Sequence, residues 1–298
     1  MKPARVTMSV KNLKSQSCKG HDIAIRLPIL TAFLWAGTLA LGQEMGSPTR
    51  LDELLQGLAS KREKSLSEIM GSAARMLLET PYVAWTLERD LNHEVCYATL
   101  DGLDCVTFAE AVWNLARSTQ SGRPYLALVQ NSRYRNGKVD GYLSRLHYTS
   151  DWFADNIRRG HIVALTPNLQ GAMRTTKTFT FMSTNAKFYR QLEANPGWIP
   201  QLQVIEGRLS KQPFWMVPTE KATVAQMGLQ TGDIIGIVDK RPGMDCSHVG
   251  LIVREGDKVR FCHASSTAKK VVLDQTLADY LKRNKSPGFI SVRPIDRR

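Results

Sequence analysis

The chain has 298 residues, 43% of them apolar, five cysteines and a formal charge of +13. That length and apolar content can bury one substantial core, with or without an elaborating subdomain, and no internal repeat or low-complexity tract is visible, which excludes a solenoid or a disordered chain. The charge divides into +5 from residues 1–42 and +8 from the rest, a balance that suits an anionic polymer, a membrane surface or nucleic acid. Nucleic acid is the weakest of these, because Arg133-Tyr134-Arg135 is a short basic and aromatic cluster rather than a patch.

In chain order, the first feature is a basic leader ending at Arg26, then an apolar run from Leu27 to Leu41 and Ala40-Leu41-Gly42 before Gln43. This pattern predicts a signal peptide over 1–42, cleaved after Gly42, and export. The run is too short to span a membrane comfortably, so no stable membrane insertion is expected after cleavage. Cys18 precedes the run and cannot serve as a lipoprotein acceptor. Residues 43–298 then form a single domain. Ser47-Pro48-Thr49 starts an amphipathic helix through Leu51, Leu54, Leu55 and Leu58, and Leu66, Ile69, Met70, Ala73, Met76 and Leu77 predict a second. After a loop, Asp104 is a natural N-cap, and Phe108, Ala109, Val112, Trp113 and Ala116 recur at helical spacing behind it.

Cys105 falls in the first turn of that helix, where unpaired N–H groups and the macrodipole favour a thiolate and are expected to lower the thiol pKa. A buried free cysteine that merely packs is the competing reading. Residues 130–225 read as a long insertion in which Arg133, Arg135, His147, Tyr148, Asp151, Trp152 and Asn156 have the polar and aromatic density suited to sugar and carboxylate contacts. His147 is either an acid of the site or a hydrogen-bonded loop residue. Residues 231–238 read as a turn feeding a buried strand, and further strands over 245–253, 259–266, 270–273 and 289–292 complete an antiparallel sheet. Helices precede the sheet, so the fold class is α+β.

Glu255-Gly256-Asp257-Lys258 reads as a tight hairpin turn pairing Glu255 with Lys258. Counting back along the ladder puts His263 opposite Gly250, so His248 and His263 are diagonal neighbours on one face. A cysteine nucleophile needs a base within hydrogen-bond reach and a third polar group to orient that base, and these two imidazoles suit the two roles. The same register sends Cys262 to the opposite face and leaves Cys246 out of register, which argues against a disulfide between them. It also argues against a zinc site built from Cys246, His248, Cys262 and His263, since the paired knuckles that usually hold zinc are missing.

Leu103-Asp104-Cys105-Val106-Thr107-Phe108, His147-Tyr148-Thr149-Ser150-Asp151-Trp152, Phe181-Met182-Ser183, Gly232-Asp233-Ile234-Ile235, Ser247-His248-Val249-Gly250 and His263-Ala264-Ser265-Ser266 occur in that order. Together, over about residues 66–296, they resemble the N-acetylmuramoyl-L-alanine amidase-like family of the NlpC-type papain-like superfamily. The resemblance implies a papain-like fold with the nucleophile helix packed on the sheet, Cys105 as nucleophile, His248 as general base and His263 as the orienting member. It implies a role for Tyr82, in Thr80-Pro81-Tyr82, in orienting the thiolate or stabilising the oxyanion, and it favours a site position for His147. The substrate it implies is peptidoglycan or its muropeptides, cut between N-acetylmuramic acid and L-alanine by a periplasmic monomer that requires no cofactor or metal. A murein peptide endopeptidase using the same residues, or a non-catalytic wall-binding protein, are the alternatives. Cys246 departs from the family, where a hydrophobic residue is more typical.

Overall fold

A computed structural model describes residues 43–296; the leader predicted over 1–42 lies outside them. The first half holds β1 (Gln43–Met45), α1 (Pro48–Leu58), α2 (Leu66–Met76), β2 (Cys96–Ala98), α3 (Cys105–Ser121), α4 (Tyr125–Arg133) and α5 (Thr149–Arg158). Then come β3 (Ile162–Ala164), β4 (Met173–Thr175), α6 (Phe181–Thr184), α7 (Arg190–Ala194), α8 (Ile199–Ser210), β5 (Phe214–Pro218) and α9 (Ala222–Ala225). The last part runs β6 (Ile234–Val238), β7 (Cys246–Glu255), β8 (Lys258–Ser265), β9 (Lys270–Thr276), α10 (Leu277–Arg283) and β10 (Gly288–Pro294). Among the described residues no helix is long and apolar enough to cross a membrane.

Helix starts follow local chemistry. Ser65 and Glu68 close a capping box on α2, and the Asp104 carboxylate accepts from the Val106 and Thr107 amides at 3.0 and 2.8 Å to start α3. Such caps satisfy donors that the first turn leaves unpaired. At the far end of α3, Gly122 takes φ 71°, a left-handed stop that a side chain would resist.

The main sheet is antiparallel and eight-stranded, in the order β4-β5-β10-β6-β7-β8-β9, with β3 also paired to β10. One face buries Val249, Leu251, Val253, Cys262 and Ala264 against Leu54, Ile69, Phe108 and Val112 of the early helices. The other buries Ile235, Ile237, Ile252 and Phe261 under Ala225, Leu277 and Leu281 of α9 and α10. Each large side chain fully buried here contributes about 1.5–3 kcal/mol. The class is α+β, as expected. Two features go beyond the pattern reading. Helices α9 and α10 form a second cover on the sheet, and the 130–225 segment is woven into the sheet, since β3 and β5 both pair with β10.

The hairpin pairs Glu255 with Lys258 and the ladder runs back to Leu251 opposite Cys262, the register counted from the turn. A bulge between Ile237 and Val238 in the β6–β7 ladder shifts the pairing from His248 to Cys246. Cys246 therefore joins the helix-covered core while His248 faces the other way. Cys96, Cys105, Cys246 and Cys262 are all free thiols.

Candidate active site

The first turn of α3 and the place where β7 and β8 part build the site together. Cys105 is the first helical residue after its Asp104 cap and is half-buried. Its sulfur is faced by the backbone N–H groups of Val249, Cys105 and Val106. Val249 can reach it because the β7–β8 ladder ends at Leu251 and Cys262, leaving an amide that alternation would aim at β8 turned to the thiol instead. Val249 adjoins His248, so this amide ties the helix start to the strand that carries the imidazole.

Burial is the largest influence on the thiol and Asp104 adds to it, together pushing it up to about 12 despite the three amides that favour the thiolate. The expected lowering of this pKa is therefore corrected: the helix start acts in the predicted direction, but desolvation and a neighbouring carboxylate outweigh it. Burial, reinforced by His263, takes His248 down to about 3. The pair rests as a neutral thiol and a neutral imidazole.

His248 Nε2 and His263 Nδ1 lie 2.8 Å apart. His263 Nε2 is in turn 3.5 Å from Asp274 Oδ2, on β9. That carboxylate would be raised by burial, but the Gln275 amide and the Arg283 guanidinium pull it below its ordinary value. An anion there places the His263 proton on Nε2, which leaves Nδ1 to accept from His248 Nε2–H. His248 Nδ1 is then the lone pair available to an acid. Tyr280 of α10 packs against both imidazoles, with centroids 5.9 Å from His248 and 5.1 Å from His263. Tyr82 bridges to Leu103, two residues before the thiol, and burial, then Cys105 and Asp104, raise its phenol so that it stays protonated.

The structure brings His248 and His263 together and sets the Tyr82 backbone beside Leu103, two residues before Cys105. Asp274 and Tyr280, which stand beside the two imidazoles, were not named from the sequence. The residues of the 130–225 segment divide differently. Arg133 is 4% exposed and holds Glu110 through bonds of 2.9 and 2.8 Å, with a third to the Tyr97 carbonyl at 2.5 Å. Trp152 is 3% exposed, donates to the Ser132 carbonyl at 2.8 Å and meets Trp113 edge-on. Tyr148, also 3% exposed, donates to Glu206 at 2.7 Å and accepts from the Met182 amide. These three are corrected from substrate-binding to structural residues: their polar atoms are satisfied inside the protein, which leaves none for a ligand.

Asp151 is buried between Arg135, at 2.5 Å, and Arg208, at 3.1 Å. All three line a cavity of about 430 Å³ that contains neither Cys105 nor either site histidine. His147 bonds the Tyr142 carbonyl through Nε2 at 2.9 Å and is lowered to about 3 by burial, which suits the hydrogen-bonded reading of that ring. Among the described residues no group of three or more His, Cys, Asp or Glu is placed to hold a metal ion. Replacing Arg133 by methionine is expected to destabilise the fold by about 3–5 kcal/mol, because Glu110 would be left buried and unpaired; urea denaturation of the purified variant checks this.

A capped cysteine and a hydrogen-bonded histidine pair on an α+β scaffold define a candidate thiol hydrolase. The chain belongs to the N-acetylmuramoyl-L-alanine amidase-like family, whose model matches residues 72–289. It is 33% identical to an N-acetylmuramoyl-L-alanine amidase from Bacteroides uniformis, with a TM-score of 0.72 over 78% of this chain and 99% of that one. A Bacteroides fragilis protein called a xylanase is 31% identical, with a TM-score of 0.68 over 74% of this chain and 99% of its own. A Legionella pneumophila protein at 18% identity shares the fold, at TM-score 0.63 over 83% and 95% of the two chains. No protein among curated sequences matches the chain.

Proposed function

We propose that this protein is an exported cysteine amidase of papain-like, NlpC type that hydrolyses the amide between N-acetylmuramic acid and L-alanine in peptidoglycan fragments. The observation that carries the reading is the contact of His248 Nε2 with His263 Nδ1 at 2.8 Å, on the strand whose neighbouring Val249 amide favours the Cys105 thiolate. Family membership supports the peptidoglycan amide as substrate. In this reading the leader is removed after Gly42 and the enzyme acts as a monomer in the periplasm.

Cys105 Sγ attacks the lactyl carbonyl carbon as its proton passes to His248 Nδ1, so the thiolate exists only as the C–S bond forms. This suits a thiol raised by burial better than a standing ion pair. The tetrahedral oxyanion accepts a hydrogen bond from the Tyr82 hydroxyl. His248 then returns the proton to the departing nitrogen of L-alanine, the C–N bond breaks and a muramoyl thioester remains. Water, deprotonated by the same imidazole, cleaves the thioester and restores the thiol.

The test is to offer a muramoyl peptide and the same peptide without its sugar, and to weigh the products. Release of an intact peptide beginning with L-alanine, from the sugar-bearing substrate alone, is expected. Cleavage within the peptide at similar rates in both would instead make the protein an endopeptidase, and retention of murein without turnover a wall-binding protein.

A further inference from the structure

The loop from Pro81 to Val95 is fastened at both ends. Near its start Val83 N–H donates to the Leu103 carbonyl at 3.1 Å, and the Val83 side chain fills the space beside Gly102. Near its end Glu88 and Glu94 both pair with the buried Arg145, at 2.9 and 3.3 Å. Between these anchors stands Trp85, 65% exposed, with φ at 64°. A bulky side chain in the left-handed region is strained and persists only where its surroundings fix it. Here the fixed loop and a turn bond from the Glu88 amide to the Trp85 carbonyl at 3.1 Å hold it. The result is a large indole presented to solvent on a rigid support.

Its position relative to the thiol follows from the same contacts. Tyr82 bridges to Leu103, two residues before Cys105, and Trp85 is only two residues beyond the Val83 anchor, about 7 Å of extended chain. Val83 and Val106, on the two segments that flank the sulfur, are themselves 43% and 36% exposed. Exposed apolar groups gathered around a candidate catalytic thiol mark a surface that binds something.

We propose that Trp85 is a specificity-determining residue that stacks on a pyranose ring of the substrate glycan. This rests on the amidase reading, in which the acyl part held at Cys105 carries a sugar. A flat indole offers an apolar face to the C–H side of such a ring, and a contact remote from the reacting bond supplies binding energy that aligns the carbonyl. Peptide alone gains nothing from it.

The experiment uses Trp85→Ala, Trp85→Tyr and Trp85→Gly. On a muramoyl peptide, Trp85→Ala should raise KM about tenfold with little change in kcat, and Trp85→Tyr should recover part of that loss. Trp85→Gly should melt about 2–4 °C higher than the parent, since glycine accepts the left-handed backbone. In Cys105→Ala protein, which cannot turn over, the indole N–H signal of Trp85 should move on titration with the peptide-free disaccharide of N-acetylglucosamine and N-acetylmuramic acid. An unmoved indole, or an unchanged KM in Trp85→Ala, would overturn the proposal. If the parent protein cleaves no muramoyl amide, the amidase reading fails by itself and the indole titration alone decides the role of Trp85.

Discussion

Cys105→Ala is expected to lower turnover of a muramoyl peptide by more than about a thousandfold while the fold remains intact. The chemical reason is that the acyl intermediate forms on the Cys105 sulfur, which alanine lacks, while Tyr82 keeps its proton. The structural reason is that little rests on the sulfur for stability. The helix start is secured by Asp104 through the Val106 and Thr107 amides, not by Cys105. Alanine is the best helix former and Cys105 as a residue is only partly buried, so circular dichroism should be unchanged. Full activity in the folded variant would remove the cysteine mechanism. Unfolding would support the view that Cys105 merely packs.

The second large effect separates the two histidines. His248→Asn should lose nearly all activity, about a thousandfold or more, because an amide side chain cannot take up and return a proton. His263→Asn should keep a measurable fraction, since its side-chain oxygen can still accept from His248 Nε2–H, and Asp274→Asn should fall between that variant and the parent. The pH dependence adds a readout that simple structural damage would not move. Burial and His263 hold His248 down to about 3, so the acid limb of kcat/KM lies far below the ordinary imidazole range. In His263→Asn one of those two influences is gone, and the limb should shift towards neutral pH. Stability must be followed alongside. His147 and His248 are both depressed to about 3, so the stability they give is complete above about pH 6.5 and is lost as pH falls towards 3. Equal losses in His248→Asn and His263→Asn, with unshifted limbs, would contradict the assigned roles.

What could be read before the structure was whatever depended on short-range periodicity. The tight turn at Gly256 fixes the β7–β8 register, and with it the meeting of His248 and His263 across a distance of fifteen residues. The Asp104 cap likewise announces α3. Asp274 was hidden because the strand read from the sequence stops at Leu273, one residue short of it, and the β8–β9 ladder slips just beyond, between Arg260 and Cys262. Tyr280 lies on α10, a helix of only seven residues between two strands, too short for its apolar spacing to stand out. The errors in the 130–225 segment have another source. Arginine, tyrosine and tryptophan next to each other look like a ligand surface, but Arg133, Tyr148 and Trp152 serve the core, where Glu110, Glu206 and the Ser132 carbonyl satisfy them. Composition cannot distinguish these cases, because a buried polar group and a binding group carry the same atoms and differ only in who their partners are. The thiol pKa shows the same limit. A helix start is visible in sequence, whereas the desolvation that outweighs it arises only when the sheet and α10 close around the sulfur.

The acyl-enzyme is the species that tests the account most directly. Intact-protein mass spectrometry of samples quenched in acid during turnover of a muramoyl peptide should reveal a covalent adduct with the mass of the muramoyl acyl group and no amino acid, mapped by digestion to Cys105 and missing from Cys105→Ala. Peptide release by the parent protein with no such adduct, together with unimpaired release by Cys105→Ala, would contradict a cysteine amidase; an adduct that carries stem-peptide residues would place the cut at a different bond.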